Sequence, residues 1–247
     1  MSDTAPVFLV DSLPSGSSFV LDGPEGRHAA AVRRLGPGEA LVVSDGRGGG
    51  VACVVDSAVG KESLTLTVTR RWRDPAPRPR IVLAQALVKG DRGELAVELA
   101  TETGVDSVVP WRAERSVARW DDGPRGAKAL ARWRSTVREA AKQSRRTWVP
   151  PVTEPVGTAG LAALVGSSAL AVVLDAAAPS GLTDLDLPAD GDLLLVVGPE
   201  GGISDRESAT LREAGAQVAR LGPTVLRAST TASAAIAALG VLTTRWR

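Results

Sequence analysis

The residues best suited to chemistry lie in two loops of the C-terminal fifty. Gly198-Pro199-Glu200-Gly201-Gly202 follows the apolar run Leu193–Val197, and Leu221-Gly222-Pro223-Thr224-Val225-Leu226-Arg227-Ala228-Ser229-Thr230-Thr231 follows a short strand pattern at Gln217–Leu221. Three glycines and a proline in the first loop remove side chains where a ligand could meet backbone N–H and C=O groups. Glu200 offers a carboxylate to a hydroxyl or amine. Arg227 is the sole cation between Arg220 and Arg245. A guanidinium held there can stabilise developing negative charge without taking a proton. Either loop alone is also explained by a tight turn and a capped helix start.

Other chemistries are poorly supplied. One cysteine, Cys53, and one histidine, His28, exclude an internal disulfide and a thiolate cluster, so no metal is expected. Asp45-Gly-Arg-Gly-Gly-Gly50 looks like a nucleotide-binding glycine loop, but such a loop must open a helix. Here a strand pattern follows, which predicts a hairpin turn. Neither G-x-x-x-x-G-K-[ST] nor G-x-S-x-G occurs.

The 247 residues carry a net charge of +1 that hides an asymmetry. Residues 112–146 hold eleven basic side chains against four acids, while residues 175–215 hold nine acids against two arginines. A concentrated basic stretch in a neutral chain is the footprint of a polyanion partner, or else a solvated helix face paired with the acidic half. Arg134, Arg138, Lys142 and Arg145 share one face of the expected helix. Leu130, Trp133, Val137 and Ala141 form its apolar stripe.

These loops need a frame. Strands are expected at Val7–Val10, Ser18–Leu21, Ala40–Ser44, Val51–Asp56 and Leu64–Thr69, with one helix from Glu25 to Leu35, together a small barrel. The proline-rich stretch from Arg71 to Arg80 marks a boundary. Beyond it strands and helices alternate. Strands fall at Ile81–Leu87, Val105–Val109, Ala169–Leu174, Leu193–Val197 and Gln217–Leu221. Helices fall at about Gly93–Thr103, Gly126–Arg145, Ser204–Ala214 and Thr230–Thr244. Such alternation predicts an α/β fold with a mostly parallel sheet, whose ligands bind at the C-terminal ends of its strands. No apolar run reaches the ~18 residues of a membrane span. The N-terminus lacks a basic segment followed by an apolar one, so a cytoplasmic protein is expected.

Taken together, the two loops resemble the cofactor signatures of the SPOUT superfamily of RNA methyltransferases. Within it the chain resembles the bacterial 16S rRNA uracil-N3 methyltransferase family (ribosomal RNA small-subunit methyltransferase E). The supporting blocks are His28-Ala-Ala-Ala-Val32-Arg33-Arg34 with Gly36-Pro37-Gly38, Glu114-Arg115-Ser116, Gln143-Ser144-Arg145-Arg146 with Pro150, and the two loops. Three positions depart from the pattern. Arg33 stands where Leu is usual, Arg145 where Gly is usual, and Ala228 where a hydroxyl is common.

The resemblance implies a PUA-like RNA-binding β-barrel over residues 1–72. A SPOUT methyltransferase domain with a C-terminal trefoil knot would follow over residues 73–247. It implies a homodimer that uses S-adenosylmethionine to methylate N3 of a uridine in 16S rRNA or the small ribosomal subunit. Cofactor contacts carry over to Leu174, Gly198, Pro199, Glu200, Gly201, Gly202, Leu221, Gly222, Leu226, Arg227, Ser229 and Thr230, with Arg227 also catalytic. RNA contacts are expected at Arg33, Arg34, Arg115, Arg134, Arg138, Lys142, Arg145 and Arg146. Trp72, Trp111, Trp120, Trp133 and Trp148 are candidates for stacking. The rival readings are a ribose 2′-O-methyltransferase of the same superfamily, disfavoured because Val225–Thr230 lacks an Asn, and a non-catalytic rRNA-binding assembly factor.

Overall fold

The computed structural model describes residues 5–246. It contains two compact units, one running to Ala76 and including Ala141–Val149, the other comprising Pro77–Ala140 and everything from Pro150 onward. The return of 141–149 to the first unit follows from local contacts. The Thr147 hydroxyl donates to the Asp74 carboxylate at 2.6 Å, and Gly48 N donates to Thr147 O at 2.9 Å. A Cβ at Gly48 would lie 2.6 Å from the Trp148 ring. The glycine-rich turn is thus shaped by aromatic packing, and Gly50 is similarly closed by Trp72.

The first unit is a bent five-stranded sheet in the order β1 (Val7–Leu9), β3 (Ala40–Ser44), β4 (Gly49–Val59), β5 (Ser63–Arg73), β2 (Ser18–Leu21). β1 runs parallel to β3 and every other pair is antiparallel. Among the described residues no ladder joins β1 to β2. β4 and β5 are longer than their apolar cores suggest, because register shifts at Ala52/Cys53 and Val55/Ser57 let one long hairpin bend around the core. That core is Phe8, Leu21, Leu41, Val43, Val51, Cys53, Val55, Leu64 and Leu66. The expected helix is α1 (Gly23–Arg27) followed by a π-helical turn, His28–Val32, so it ends before Leu35.

The second unit holds a wholly parallel sheet, β10 (Gln217–Ala219), β8 (Leu170–Leu174), β9 (Asp192–Val197), β6 (Arg80–Ala86), β7 (Ser107–Trp111), in that order. Leu193 through Val197 are all buried, as expected of a central strand covered on both faces. α4 (Thr158–Ser167) and α5 (Asp205–Glu213) cover one face through Leu161, Val165 and Leu211. α2 (Arg92–Thr103) packs on α6 (Ala228–Leu242), which meets β9 and β6. The long basic helix is α3 (Pro124–Gln143), and its stripe of Leu130, Trp133, Val137 and Ala141 is buried as expected.

The boundaries moved where backbone chemistry outweighed pattern. β7 begins two residues after Val105 because Gly104 caps α2 in the left-handed region, and it runs through Pro110, which an edge strand tolerates. α3 ends in a Schellman motif, with Arg146 N on Ala141 O at 2.9 Å and Arg145 N on Lys142 O at 3.1 Å. Arg145 occupies the left-handed position at φ +57, where glycine would avoid a cost of about 1 kcal/mol. Among the described residues no helix is long and apolar enough to cross a membrane.

Candidate active site

β8, β9 and β10 bring their C-terminal ends level. Leu174 lies opposite both Val197 and Ala219 in register, so the loops that follow start side by side. Those loops, with Arg92 at the start of α2, enclose a cavity of about 620 Å³. That volume suits a ligand of cofactor size at the position where open parallel sheets bind ligands.

The first loop is held from outside the cavity. Gly202 N closes a turn on Pro199 O at 2.9 Å, and Gly202 takes φ +72, a region where side chains are strained. Arg115 Nη1 donates to Gly201 O at 3.3 Å and to Ile203 O at 3.4 Å. Ser204 then caps α5 in the expected capping box with Glu207. The buried Glu207 carboxylate also accepts from Glu114 N at 2.8 Å and from the Thr158 hydroxyl at 2.9 Å. The Ser204 hydroxyl donates to Glu114 Oε2 at 2.6 Å. That bond, with the nearby Arg206 guanidinium, holds the Glu114 carboxyl below the usual glutamate range. The Glu114-Arg115-Ser116 block is therefore a brace for the Gly198–Ile203 loop.

The second loop ends at Arg227, the N-cap of α6. Arg227 O accepts from Thr230 N at 2.9 Å, Thr231 N at 3.0 Å and the Thr231 hydroxyl at 2.8 Å. Ser229, Thr230 and Thr231 thus sit inside the first helical turn rather than before it. The Arg227 side chain is exposed, lines the cavity, and has no ion pair among the described residues. Glu200 pairs instead with Arg92, at 3.6 Å.

Of the residues expected at the cofactor, Leu174, Gly198, Pro199, Glu200, Gly202, Leu221, Leu226, Arg227 and Ser229 line the cavity. Gly201, Gly222 and Thr230 do not. A Cβ at Gly201 would face the Arg115 side chain at 3.3 Å, and Gly222 (φ +72) serves the turn. Sequence reasoning missed Arg92, Asp175 and Thr224. The loop Lys89-Gly90-Asp91 follows another parallel strand of the same sheet, a signal that could have pointed to Arg92.

The residues expected at RNA are dispersed. Arg115 serves the brace. Arg134 is tied to Val152 O at 3.1 Å and to Glu154 at 2.9 Å. Lys142 is buried, with its ammonium 3.1 Å from Glu25 Oε1 in the first unit, so it leaves the wet face the helical period gave it. Arg33, Arg34, Arg138 and Arg145 are exposed, and Arg146 is half-buried. Trp111 and Trp133 are core residues, and Trp120 packs edge-on against Trp133 with centroids 4.9 Å apart.

A parallel sheet with a ligand-sized cavity over three adjacent strand ends, and a separate small β unit before it, defines a class. Residues 74–240 match the RNA methyltransferase domain family, and residues 21–69 match the RNA methyltransferase PUA domain. The chain belongs to the ribosomal RNA small subunit methyltransferase E family. It is 50% identical to the member from Mycobacterium bovis over 98% of this chain and 94% of that one. The Neisseria gonorrhoeae member, solved bound to S-adenosyl methionine, superposes with TM-score 0.85 at 29% identity, covering 96% of this chain and 98% of that one. A Legionella pneumophila protein solved in complex with the cofactor SAM gives TM-score 0.86 at 26% identity, over 97% and 98% of the two chains.

Proposed function

We infer that this protein is an S-adenosylmethionine-dependent enzyme that methylates N3 of a uridine in 16S rRNA of the small ribosomal subunit. It works in the cytoplasm as a homodimer, with a PUA-like unit for RNA and a knotted SPOUT catalytic unit. The observation that carries the reading is the cavity formed where the loops after β8, β9 and β10 meet. Its lining suits the cofactor: Leu174, Val197, Leu221 and Leu226 are apolar, the Gly198–Gly202 backbone is open to close approach, and Arg92 and Glu200 stand among the lining residues. The Neisseria gonorrhoeae and Legionella pneumophila proteins, solved with S-adenosyl methionine or SAM bound, support the same ligand.

The bound cofactor supplies an electrophilic methyl group on a sulfonium sulfur. The chain supplies position and charge. Uracil N3 is a weak acid, so transfer requires loss of its proton and stabilisation of negative charge spreading to O2 and O4. Arg227 is assigned that stabilisation, and its exposure at the cavity without an acid partner among the described residues supports the assignment. The rest of the rate enhancement is orientation of N3 toward the methyl carbon. Calorimetry should give saturable S-adenosylmethionine binding. Mass spectrometry of small-subunit rRNA from cells with and without the gene should show N3-methyluridine only in the former. Identical rRNA from both would overturn the reaction, and methylation at a ribose 2′-OH would favour the rival enzyme.

A further inference from the structure

A second, smaller cavity of about 70 Å³ lies in the first unit, lined by Phe8, His28, Arg33, Lys142, Gln143 and Arg145 among others. A water claims about 30 Å³ in the liquid, so this space admits one small group and no nucleobase. Its floor is charged. The Lys142 ammonium, 5% exposed, lies 3.1 Å from Glu25 Oε1 and 3.5 Å from His28 Nδ1. Glu25 offsets Lys142. The guanidiniums of Arg33 and Arg145 have no ion pair among the described residues, so the lining keeps an excess of two positive charges.

The backbone that presents those arginines is unusual. Arg33 caps the π-helical turn His28–Val32, an uncommon geometry that is frequent at functional sites. Its neighbour Arg34 takes φ +56, and Arg145 takes φ +57. Both are left-handed positions at which a side chain is strained, and such strain gathers at ligand sites. Cations on the last turn of α3 also answer the negative end of that helix. That role does not require an arginine at the left-handed position, because glycine there would complete the same cap.

We propose that this cavity is a phosphate site, at which Arg33 and Arg145 hold one backbone phosphate of the RNA substrate above a floor formed by the buried Lys142 and the half-buried His28. The inference rests on the methyltransferase reading for the identity of the polyanion, while the site itself is read from the first unit alone. Free inorganic phosphate offers the same chemistry, and the test separates the two sources.

Arg145→Gly is the informative variant, because glycine is at ease at φ +57 and the protein should fold at least as stably. Binding of a small-subunit rRNA fragment is measured by fluorescence anisotropy across a salt series, for the unaltered protein, Arg145→Gly and Arg33→Gln. Each variant should bind RNA more weakly, with the slope of log affinity against log salt reduced by about one, the signature of one lost phosphate contact. Thermal stability should be unchanged or raised in Arg145→Gly, and calorimetric S-adenosylmethionine affinity should be unchanged in both variants. Unaltered RNA affinity and slope in both would overturn the proposal. So would millimolar inorganic phosphate binding to the unaltered protein through Arg33 and Arg145 without competing with RNA, which would assign the site to the free ion. Failure of the unaltered protein to bind S-adenosylmethionine would count against the methyltransferase reading and leave this test standing.

Discussion

Arg227→Lys isolates the step at which the cavity must do chemistry. Three structural facts fix the expected size of the effect. Arg227 caps α6 through its backbone carbonyl, with no side-chain cap bond, so the helix start survives the substitution. Its guanidinium has no ion pair among the described residues, and Glu200, the acid that could have held it, is taken by Arg92 at 3.6 Å. Folding stability should therefore change by no more than about 0.5 kcal/mol, the usual range for a surface site. Lysine keeps the charge but loses the planar fork that can present two donors to one uracil oxygen. Loss of one preorganised donor costs on the order of 10²–10³ in turnover, about 3–4 kcal/mol of transition-state stabilisation. The assay is single-turnover methyl transfer from radiolabelled S-adenosylmethionine to rRNA, with calorimetric cofactor affinity measured on the same preparation. The expected result is a large fall in rate with affinity nearly unchanged. Turnover within about threefold of the unaltered enzyme would refute the bidentate role, since that loss is under 1 kcal/mol. A collapse of cofactor affinity would instead make Arg227 part of the binding wall.

The two ends of the first loop should respond differently to added bulk. A Cβ at Gly198 would lie 2.7 Å from Ile203 Cγ1, and both residues line the cavity, so Gly198→Val should weaken S-adenosylmethionine binding at least about tenfold by calorimetry. Gly201 faces Arg115, so Gly201→Ala should leave that affinity within about threefold, and equal losses in both variants would contradict this geometry. Arg245 and Asp106 form a buried pair at 2.7 Å with side chains 7% and 6% exposed, and Arg245 also donates to Pro79 O and Gly104 O. Arg245→Ala should lower stability by about 3 kcal/mol in urea denaturation, because it removes the guanidinium that offsets the charge of a buried carboxylate. Burial pushes the Cys53 thiol up to about 11, against a smaller opposing pull from Arg71. At pH 8 it should resist thiol reagents in the folded protein and react fully only in denaturant, and prompt labelling of native protein would contradict its burial.

Local signals made the loop after β9 legible. Leu193–Val197 is apolar without interruption because both faces of β9 are covered, and the capping box at Ser204 marks the next helix three residues beyond Gly201. Both facts are written within a dozen residues. What lay further apart in the chain was not readable. The turn at Asp45–Gly50 was recognisable, yet the reason for its glycines is packing against Trp72 and against Trp148, a hundred residues away. α4 gave no start signal because its N-cap, Gly157, has no side chain to accept a bond.

The basic stretch shows where composition stops informing function. Charge counting identified a chain able to meet a polyanion, and helical spacing placed Arg134, Arg138, Lys142 and Arg145 on one face. A cation is available to a ligand only if the fold offers it no better acceptor. Lys142 finds Glu25, Arg134 finds Glu154, and Arg115 finds the carbonyls of Gly201 and Ile203. Two of those three acceptors are distant in sequence, and the third set is backbone, which carries no signature in composition. Arg33 and Arg145 find no such partner among the described residues, although they sit beside a buried ammonium. The sequence predicts the sign of the partner, and the acceptors inside the fold select which cations remain to meet it.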